Sequence, residues 1–76
     1  MTKIVKNWSD LVGLESDTHK LKIDLDIGNG WIIPKESFPN KPAYYLSTHV
    51  FYGKSYKGYE QLLRKCGFDI EIHTWD

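Results

Sequence analysis

Residues 20–33 read KLKIDLDIGNGWII, and this segment indicates the architecture of the chain. Charged and branched aliphatic side chains alternate from Lys20 to Ile27, and successive side chains of a strand point to opposite faces. The Asn29-Gly30 step that follows is a strong hairpin signal, because a tight turn of this kind needs positive φ at its central residues. The segment therefore predicts an antiparallel hairpin with one buried face and one solvated face.

Two registers are possible for this hairpin, and they bury different side chains. A two-residue loop turns Ile32 to the core, whereas a three-residue loop that begins at Gly28 and carries a bulge turns Trp31 to the core. A slip of one residue exchanges the two faces of a strand. We favour the second register because it buries Trp31 together with Leu25 and Ile27.

Proline content and apolar spacing define the remaining elements. All three prolines lie in residues 34–42, which we expect to form a stiff surface loop, because proline lacks the donor that a strand ladder needs. Residues 43–52 are rich in aromatic and β-branched side chains and predict a long central strand. Ser55 precedes a segment with helical apolar spacing, which predicts a helix over 56–66. Alternation resumes over 69–75 and predicts a closing strand.

The N-terminal element, residues 1–19, has weaker signals. A short edge strand is expected at residues 3–6, where lysines flank two aliphatic residues. Ser9 is a suitable N-cap for a short helical turn, and Gly13 ends that turn early.

Together these elements predict a single α+β domain over residues 1–76. We expect a small, mainly antiparallel or mixed four-stranded sheet in β-β-β-α-β order. One amphipathic helix packs on one face, and a short helical turn precedes the sheet. The connection from Val50 to Ile70 contains the helix, so these two strands are able to pair in parallel through a right-handed crossover.

Composition excludes several classes of protein. Ten basic and ten acidic side chains cancel, which argues against a chain whose main task is to bind nucleic acid. No apolar run approaches the ~18 residues of a membrane span, and Met1 does not begin a signal peptide. The only cysteine is Cys66, so no internal disulfide forms, which fits a reducing compartment. We therefore expect a cytoplasmic protein that does not interact with membranes.

The residues capable of chemistry do not form a catalytic set. The carboxylate pairs Asp24/Asp26 and Asp69/Glu71 are typical of the solvated face of a strand. Cys66 falls on the apolar stripe of the predicted helix, where a free cysteine is usually an inert hydrophobic residue. No hydrolase, P-loop or dinucleotide motif occurs, and no Cys/His spacing suits zinc. We expect no enzymatic activity, no metal and no cofactor.

The basic end of the helix suggests nucleic-acid or nucleotide binding as an alternative function. Basic side chains and tyrosines alternate there, which is an arrangement that holds single strands by stacking and charge. The residues that would carry this function are Lys54, Lys57, Arg64, Lys65 and Tyr52.

Aromatic side chains on the sheet predict a surface for a protein partner. If the helix covers one face, Tyr45 and Phe51 lie on the other, with His73 and Trp75 from the last strand and Phe38 from the proline loop. Such patches mark partner surfaces. Two alternatives would leave no free site there: residues 1–19 cover this face with Trp8, or a homodimer does.

We therefore expect a non-enzymatic protein-binding module that acts by steric occlusion. Small single-domain proteins without catalytic residues are common as inhibitors and adaptors, including those with which phages and mobile elements block host defence enzymes. A homodimer is also compatible with the sequence, because copies of a chain with zero net charge repel each other little. In addition, the strand expected over residues 70–75 would have an exposed edge with which a second copy could pair.

Overall fold

The computed structural model describes residues 1–75, and within them it contains five short strands, two helices and one 3₁₀ turn. In chain order the elements are β1 (Lys3–Val5), the 3₁₀ turn (Trp8–Leu11), β2 (His19–Asp24), β3 (Asn29–Pro34), β4 (Tyr44–Ser47), α1 (Thr48–Phe51), α2 (Tyr56–Lys65) and β5 (Ile70–Ile72). The predicted α+β class is confirmed, whereas the strands are arranged differently from the prediction.

The strands form two sheets instead of one four-stranded sheet. β2, β3 and β4 form an antiparallel sheet in that order, in which Leu21 lies opposite Ile32 and Trp31 lies opposite Tyr45. β1 and β5 pair in parallel as a second sheet. The parallel pairing that the crossover would allow between the third strand and the last one does not occur, since β4 pairs with β3 and β5 pairs with β1.

The turn between β2 and β3 begins earlier than the Asn-Gly step predicts. The Asp24 carboxylate at the end of β2 accepts hydrogen bonds from the N–H groups of Asp26 (2.9 Å) and Ile27 (3.1 Å). Gly28 closes the turn with a φ of +73°, which glycine adopts without a Cβ penalty. The favoured register is therefore wrong, and Leu25 and Ile27 lie exposed in the turn instead of in the core.

Gly30 is a strand residue that leaves room for Trp8. A Cβ atom at position 30 would lie 2.8 Å from Cδ1 of Ile23 and 3.2 Å from Cζ2 of Trp8. Trp8 is buried, and its ring meets Phe51 edge-on with 5.4 Å between the ring centroids. Residues 1–19 thus pack on the core face of the three-stranded sheet. The alternative in which Trp8 covers the opposite face is wrong.

The predicted strand over residues 43–52 ends at Ser47, where α1 begins. Ser47 has extended backbone angles, and its hydroxyl accepts a hydrogen bond from the Val50 N–H, as an N-cap does. The change of direction carries Phe51 into the core, where it is fully buried. The expectation that Phe51 faces solvent from a strand is therefore wrong.

The helix α2 matches the prediction closely. It spans Tyr56–Lys65 and is followed by Gly67 at a φ of +92°. Leu63 is buried, and the remaining apolar side chains of the helix pack against the core: Tyr56, Tyr59 and Leu62. No helix among residues 1–75 is long and apolar enough to cross a bilayer.

The edge of β5 that faces away from β1 is closed by side chains of α2. Nε of Arg64 donates to the carbonyl of Ile70 at 2.9 Å, and a carboxylate oxygen of Glu60 accepts from the N–H of Ile72 at 2.8 Å. Because these backbone groups already have partners, they are not available to pair with another strand. The prediction of an exposed strand edge over residues 70–75 is therefore wrong at the Ile70 carbonyl and the Ile72 N–H, and the strand itself spans only Ile70–Ile72.

Candidate functional site

The five residues predicted to bind a partner are distributed over the molecule. Tyr45 is 54% exposed on β4, Phe38 is 38% exposed in the proline loop, and Trp75 is 59% exposed beyond β5. His73 is half-buried, with its Nε2 3.2 Å from a carboxylate oxygen of Glu71. Phe51 is buried in the core and offers no contact surface.

Tyr45 contacts Trp31 on the face of the three-stranded sheet opposite the core. Strand alternation turns Ile32 and Leu46 to the core, so the adjacent residues Trp31 and Tyr45 point away from it. Their ring centroids are 5.9 Å apart, with an angle of 65° between the ring planes. The Tyr45 hydroxyl donates to the side-chain oxygen of Asn29 at 2.6 Å, which fixes the position of the phenol.

Lys22 extends this pair into a row of three side chains across the sheet. It lies opposite Trp31 in the β2–β3 register, and its ammonium nitrogen is 5.7 Å from the centroid of the indole ring. A cation over the face of a tryptophan is attracted by the ring quadrupole. The row therefore presents a charge, an indole and a phenol side by side.

Trp31 separates two shallow hollows on this face. The first, of about 420 Å³, is lined by Lys22, Ile23, Asp24, Leu25, Asp26 and Trp31. The second, of about 250 Å³, is lined by Trp31, Pro42, Ala43, Tyr44 and Tyr45. We call the surface formed by Lys22, Leu25, Asp26, Trp31 and Tyr45 the aromatic face.

Trp31 is the surface residue that the sequence reasoning missed, because the favoured register placed it in the core. The signal was parity: if Ile32 faces the core, Trp31 faces away from it. Its indole Nε1 has no hydrogen-bond acceptor within residues 1–75. By contrast, Nε1 of Trp8 and Nε1 of Trp75 each donate to a backbone carbonyl. Trp31 therefore retains a donor that is not used inside the fold.

The five residues predicted to bind nucleic acid are all exposed, and two of them also bond other elements of the fold. Lys54, Lys57 and Lys65 are exposed near or on α2. Arg64 donates to a carbonyl of β5, and the Tyr52 hydroxyl accepts the N–H of Trp8 at 2.7 Å. Arg64 and Tyr52 thus hold elements of the fold together.

Cys66 is a core residue in this structure. It is buried, and burial raises the pKa of its thiol. A thiol of this kind contains little thiolate at neutral pH, which is the form that acts as a nucleophile. Among residues 1–75, no group of three or more His, Cys, Asp or Glu side chains is placed to hold a metal ion.

Comparisons with family models, curated proteins and solved structures find no match for this chain. Its function must therefore be inferred from the chemistry of its own surface. The aromatic face is the candidate site, because it combines exposed apolar groups, two hollows and an unused hydrogen-bond donor.

Proposed function

We propose that this chain is a non-enzymatic protein-binding domain that docks its partner on the aromatic face. The main support is the exposure of Tyr45 and Leu25 beside the half-buried Trp31, on the side of the sheet away from the core. Clustered tryptophan and tyrosine side chains are typical of binding hot spots. In this proposal the domain is a small inhibitor or adaptor that acts by steric occlusion.

The β2–β3 turn supports the proposal through the identity of its side chains. Leu25 and Ile27 are 57% and 66% exposed, although a turn does not require aliphatic residues. Full burial of such a side chain is worth about 1.5–3 kcal/mol, and most of this is not realised in the free protein. A partner that covers the turn would gain part of it.

The aromatic pair also has little freedom to lose on binding. Tyr45 is held by its hydrogen bond to Asn29 and by its ring contact with Trp31. Immobilising a flexible side chain at an interface costs about 0.5–1.5 kcal/mol, so side chains that are already fixed reduce that cost. The arrangement therefore favours a rigid anchor for a partner.

The charges on this face suit a protein better than a nucleic acid. Asp24 and Asp26 line the same hollow as Lys22, and their carboxylates would repel phosphate groups. The Lys22 ammonium already lies over the ring of Trp31, where a base would have to stack. A partner surface of mixed charge is able to match both signs.

The proposal is tested by recovery of partner proteins from native cells with tagged wild type, Tyr45→Ala and Trp75→Ala, each after nuclease treatment. Trp75→Ala is the matched control, because it removes an exposed aromatic side chain that lies beyond the other sheet. We expect Tyr45→Ala to lower recovery of the partner at least about tenfold, as truncation of a hot spot does. Trp75→Ala should leave recovery unchanged.

Three results would contradict the proposal. A partner that is lost on nuclease treatment would indicate binding through nucleic acid. Equal recovery by wild type and Tyr45→Ala would remove the aromatic face as the site. Loss with Trp75→Ala alone would move the site to the end of β5. Circular dichroism of each variant verifies that the fold is intact.

A further inference from the structure

The Asn29-Gly30 step lies inside a strand, although the sequence pattern predicts a turn there. Asn29 begins β3, where it lies opposite Asp24 of β2 and Ser47 of β4. An asparagine followed by glycine is also the dipeptide that loses its side-chain amide most readily, because glycine has no side chain to hinder attack by its backbone nitrogen. These two residues therefore have a reactivity that neither the fold nor the proposed function uses.

We propose that Asn29 is a deamidation site that the folded chain protects and that becomes reactive when β4 separates from β3. In this reaction the backbone nitrogen of Gly30 loses its proton and attacks Cγ of Asn29. A bond forms between these two atoms, the bond from Cγ to Nδ2 breaks, and Nδ2 takes up a proton and leaves as ammonia. Water then adds to either carbonyl carbon of the cyclic imide and gives aspartate or isoaspartate, so water is the only co-reactant.

The nucleophile of this reaction, the backbone nitrogen of Gly30, is held in the strand ladder. The N–H of Thr48 donates to the carbonyl of Gly28 at 2.9 Å. Hydrogen-bonded pairs alternate along an antiparallel ladder, so Gly30 and Leu46 form the next such pair. Gly30 is also buried, and the ring of Trp8 lies against it. Its amide proton, whose removal starts the reaction, is therefore bonded and shielded from water.

The side chain of Asn29, which contains the carbon that is attacked, is held as well. Its Oδ1 accepts a hydrogen bond from the Tyr45 hydroxyl at 2.6 Å. Ring closure requires Cγ to turn towards the Gly30 nitrogen and the peptide plane between residues 29 and 30 to rotate. β3 lies between β2 and β4, so pairing on both sides of the strand opposes this rotation.

Separation of β4 from β3 would remove these restraints together. It frees the N–H of Gly30, admits water to it and takes the Tyr45 hydroxyl away from Asn29. Proteins open locally with free energies that range from near zero to the global value. The rate of deamidation in the native protein is therefore set by the fraction of molecules in which this part of the sheet is open.

The isoaspartate product would prevent β3 from closing again. Its main chain runs through the former side chain, which adds one carbon atom between residues 29 and 30. The residues that follow, Trp31 among them, no longer match the hydrogen-bonding positions of β2 and β4. Isoaspartate formation therefore removes opened chains from the folded population and destroys the aromatic face in them, whether or not a partner binds there.

The test compares the native full chain with the same chain unfolded in urea, at one mildly alkaline pH and one temperature. Peptide mass spectrometry measures the conversion of Asn29, with Asn40 as the internal control, because Asn40 lies in the exposed proline loop outside the strands. We expect Asn29 to convert at least about tenfold more slowly in the native chain, whereas Asn40 should show no such protection. Equal rates for Asn29 in both states, or no conversion in urea, would overturn the proposal.

Tyr45→Phe tests the restraint on the Asn29 side chain, because it keeps the ring and removes the hydroxyl. We expect the native rate at Asn29 to rise about two- to tenfold, the range for loss of a single hydrogen bond, and the rate in urea to stay the same. Tyr44→Phe is the matched control, since it removes the hydroxyl of an exposed neighbour in β4. Equal native rates for Tyr45→Phe and wild type would contradict this restraint.

The fate of the product is measured on the isoaspartate form after its chromatographic separation. This form should not regain the near-ultraviolet circular dichroism of the native chain when urea is removed. Asn29→Asp should regain it, because it adds a charge beside Asp24 and leaves the main chain unchanged. Refolding of the isoaspartate form would overturn the proposed block. None of these measurements involves a partner, so the proposed function, tested through Tyr45→Ala, stands or fails separately.

Discussion

Two alanine substitutions of aromatic residues, Phe51→Ala and Tyr45→Ala, should differ by several kcal/mol in their effect on the free energy of unfolding. Phe51 is fully buried, and its ring lies 5.4 Å from that of Trp8 and 4.9 Å from that of Tyr52, measured between centroids. Truncation of a buried phenylalanine to alanine costs about 3–5 kcal/mol, because lost burial and the remaining cavity both contribute.

Tyr45→Ala should cost much less, because this side chain is more than half exposed. It would lose one exposed hydrogen bond to Asn29 and one edge-on ring contact with Trp31. Contributions of these kinds are about 0.5–1.5 kcal/mol each, and exposure places them at the lower end. We therefore expect a total of about 1 kcal/mol.

The assay is urea denaturation followed by far-ultraviolet circular dichroism. A domain of this length has a total stability of roughly 4–11 kcal/mol, so Phe51→Ala should remove a large part of it. Phe51→Leu provides a milder variant if the alanine variant does not fold. Equal losses for Phe51→Ala and Tyr45→Ala would refute the reasoning, because they would place both residues in similar surroundings, as a continuous strand over residues 43–52 would.

Three other side chains give separate predictions. Glu60→Ala removes the acceptor that closes the β5 edge and should lower the free energy of unfolding by about 1–3 kcal/mol in urea titrations. Hydrogen bonds from the N–H groups of Lys6 and Asn7 lower the pKa of the Asp10 carboxyl from its usual 3.8. Its stabilisation is therefore complete above that pH and is lost as the pH falls through the folded value, so thermal melts of wild type and Asp10→Asn should differ at pH 7 and converge in acid. Burial raises the pKa of the Cys66 thiol, so a thiol reagent should label it only after unfolding, and rapid labelling of the native protein would contradict its core position.

The local sequence pattern predicts an element correctly where the segment shows only one hydrophobic periodicity. The apolar spacing over residues 56–66 predicts α2, because only one helical face carries the groups that pack on the core. Gly67 marks the end of that helix through its positive φ. The alternation of Ile70 and Ile72 likewise predicts β5 and its two buried residues.

The hairpin register was not predictable from local pattern, because two turn signals compete there. Asn29-Gly30 favours one turn, and Asp24 followed by Gly28 favours another. In the observed register Gly30, which has no side chain, lies against the ring of Trp8. The choice between the two turns therefore depends on Trp8. That contact joins residues far apart in sequence, so no window around the turn contains it.

The sequence predicts the candidate site only in part, because the register and the end of β4 decide which side chains the site contains. Tyr45 precedes Leu46 in the same strand, so its side chain points to the other side of the sheet. The expected exposure of Tyr45 is confirmed. The favoured register places Trp31 on the wrong face, because the side to which Trp31 points depends entirely on the register. The predicted strand over residues 43–52 places Phe51 on the surface, because it continues past Ser47, which is the N-cap of α1.

The claim that the aromatic face binds a protein is tested most directly by photo-crosslinking. A photoreactive phenylalanine analogue is placed at position 45, on the aromatic face, and in a second protein at position 57, on the exposed surface of α2. We expect irradiation in native cells to give a discrete, nuclease-resistant adduct with a foreign protein from position 45 and none from position 57. Adducts with nucleic acid, or a protein adduct from position 57 alone, would contradict the account.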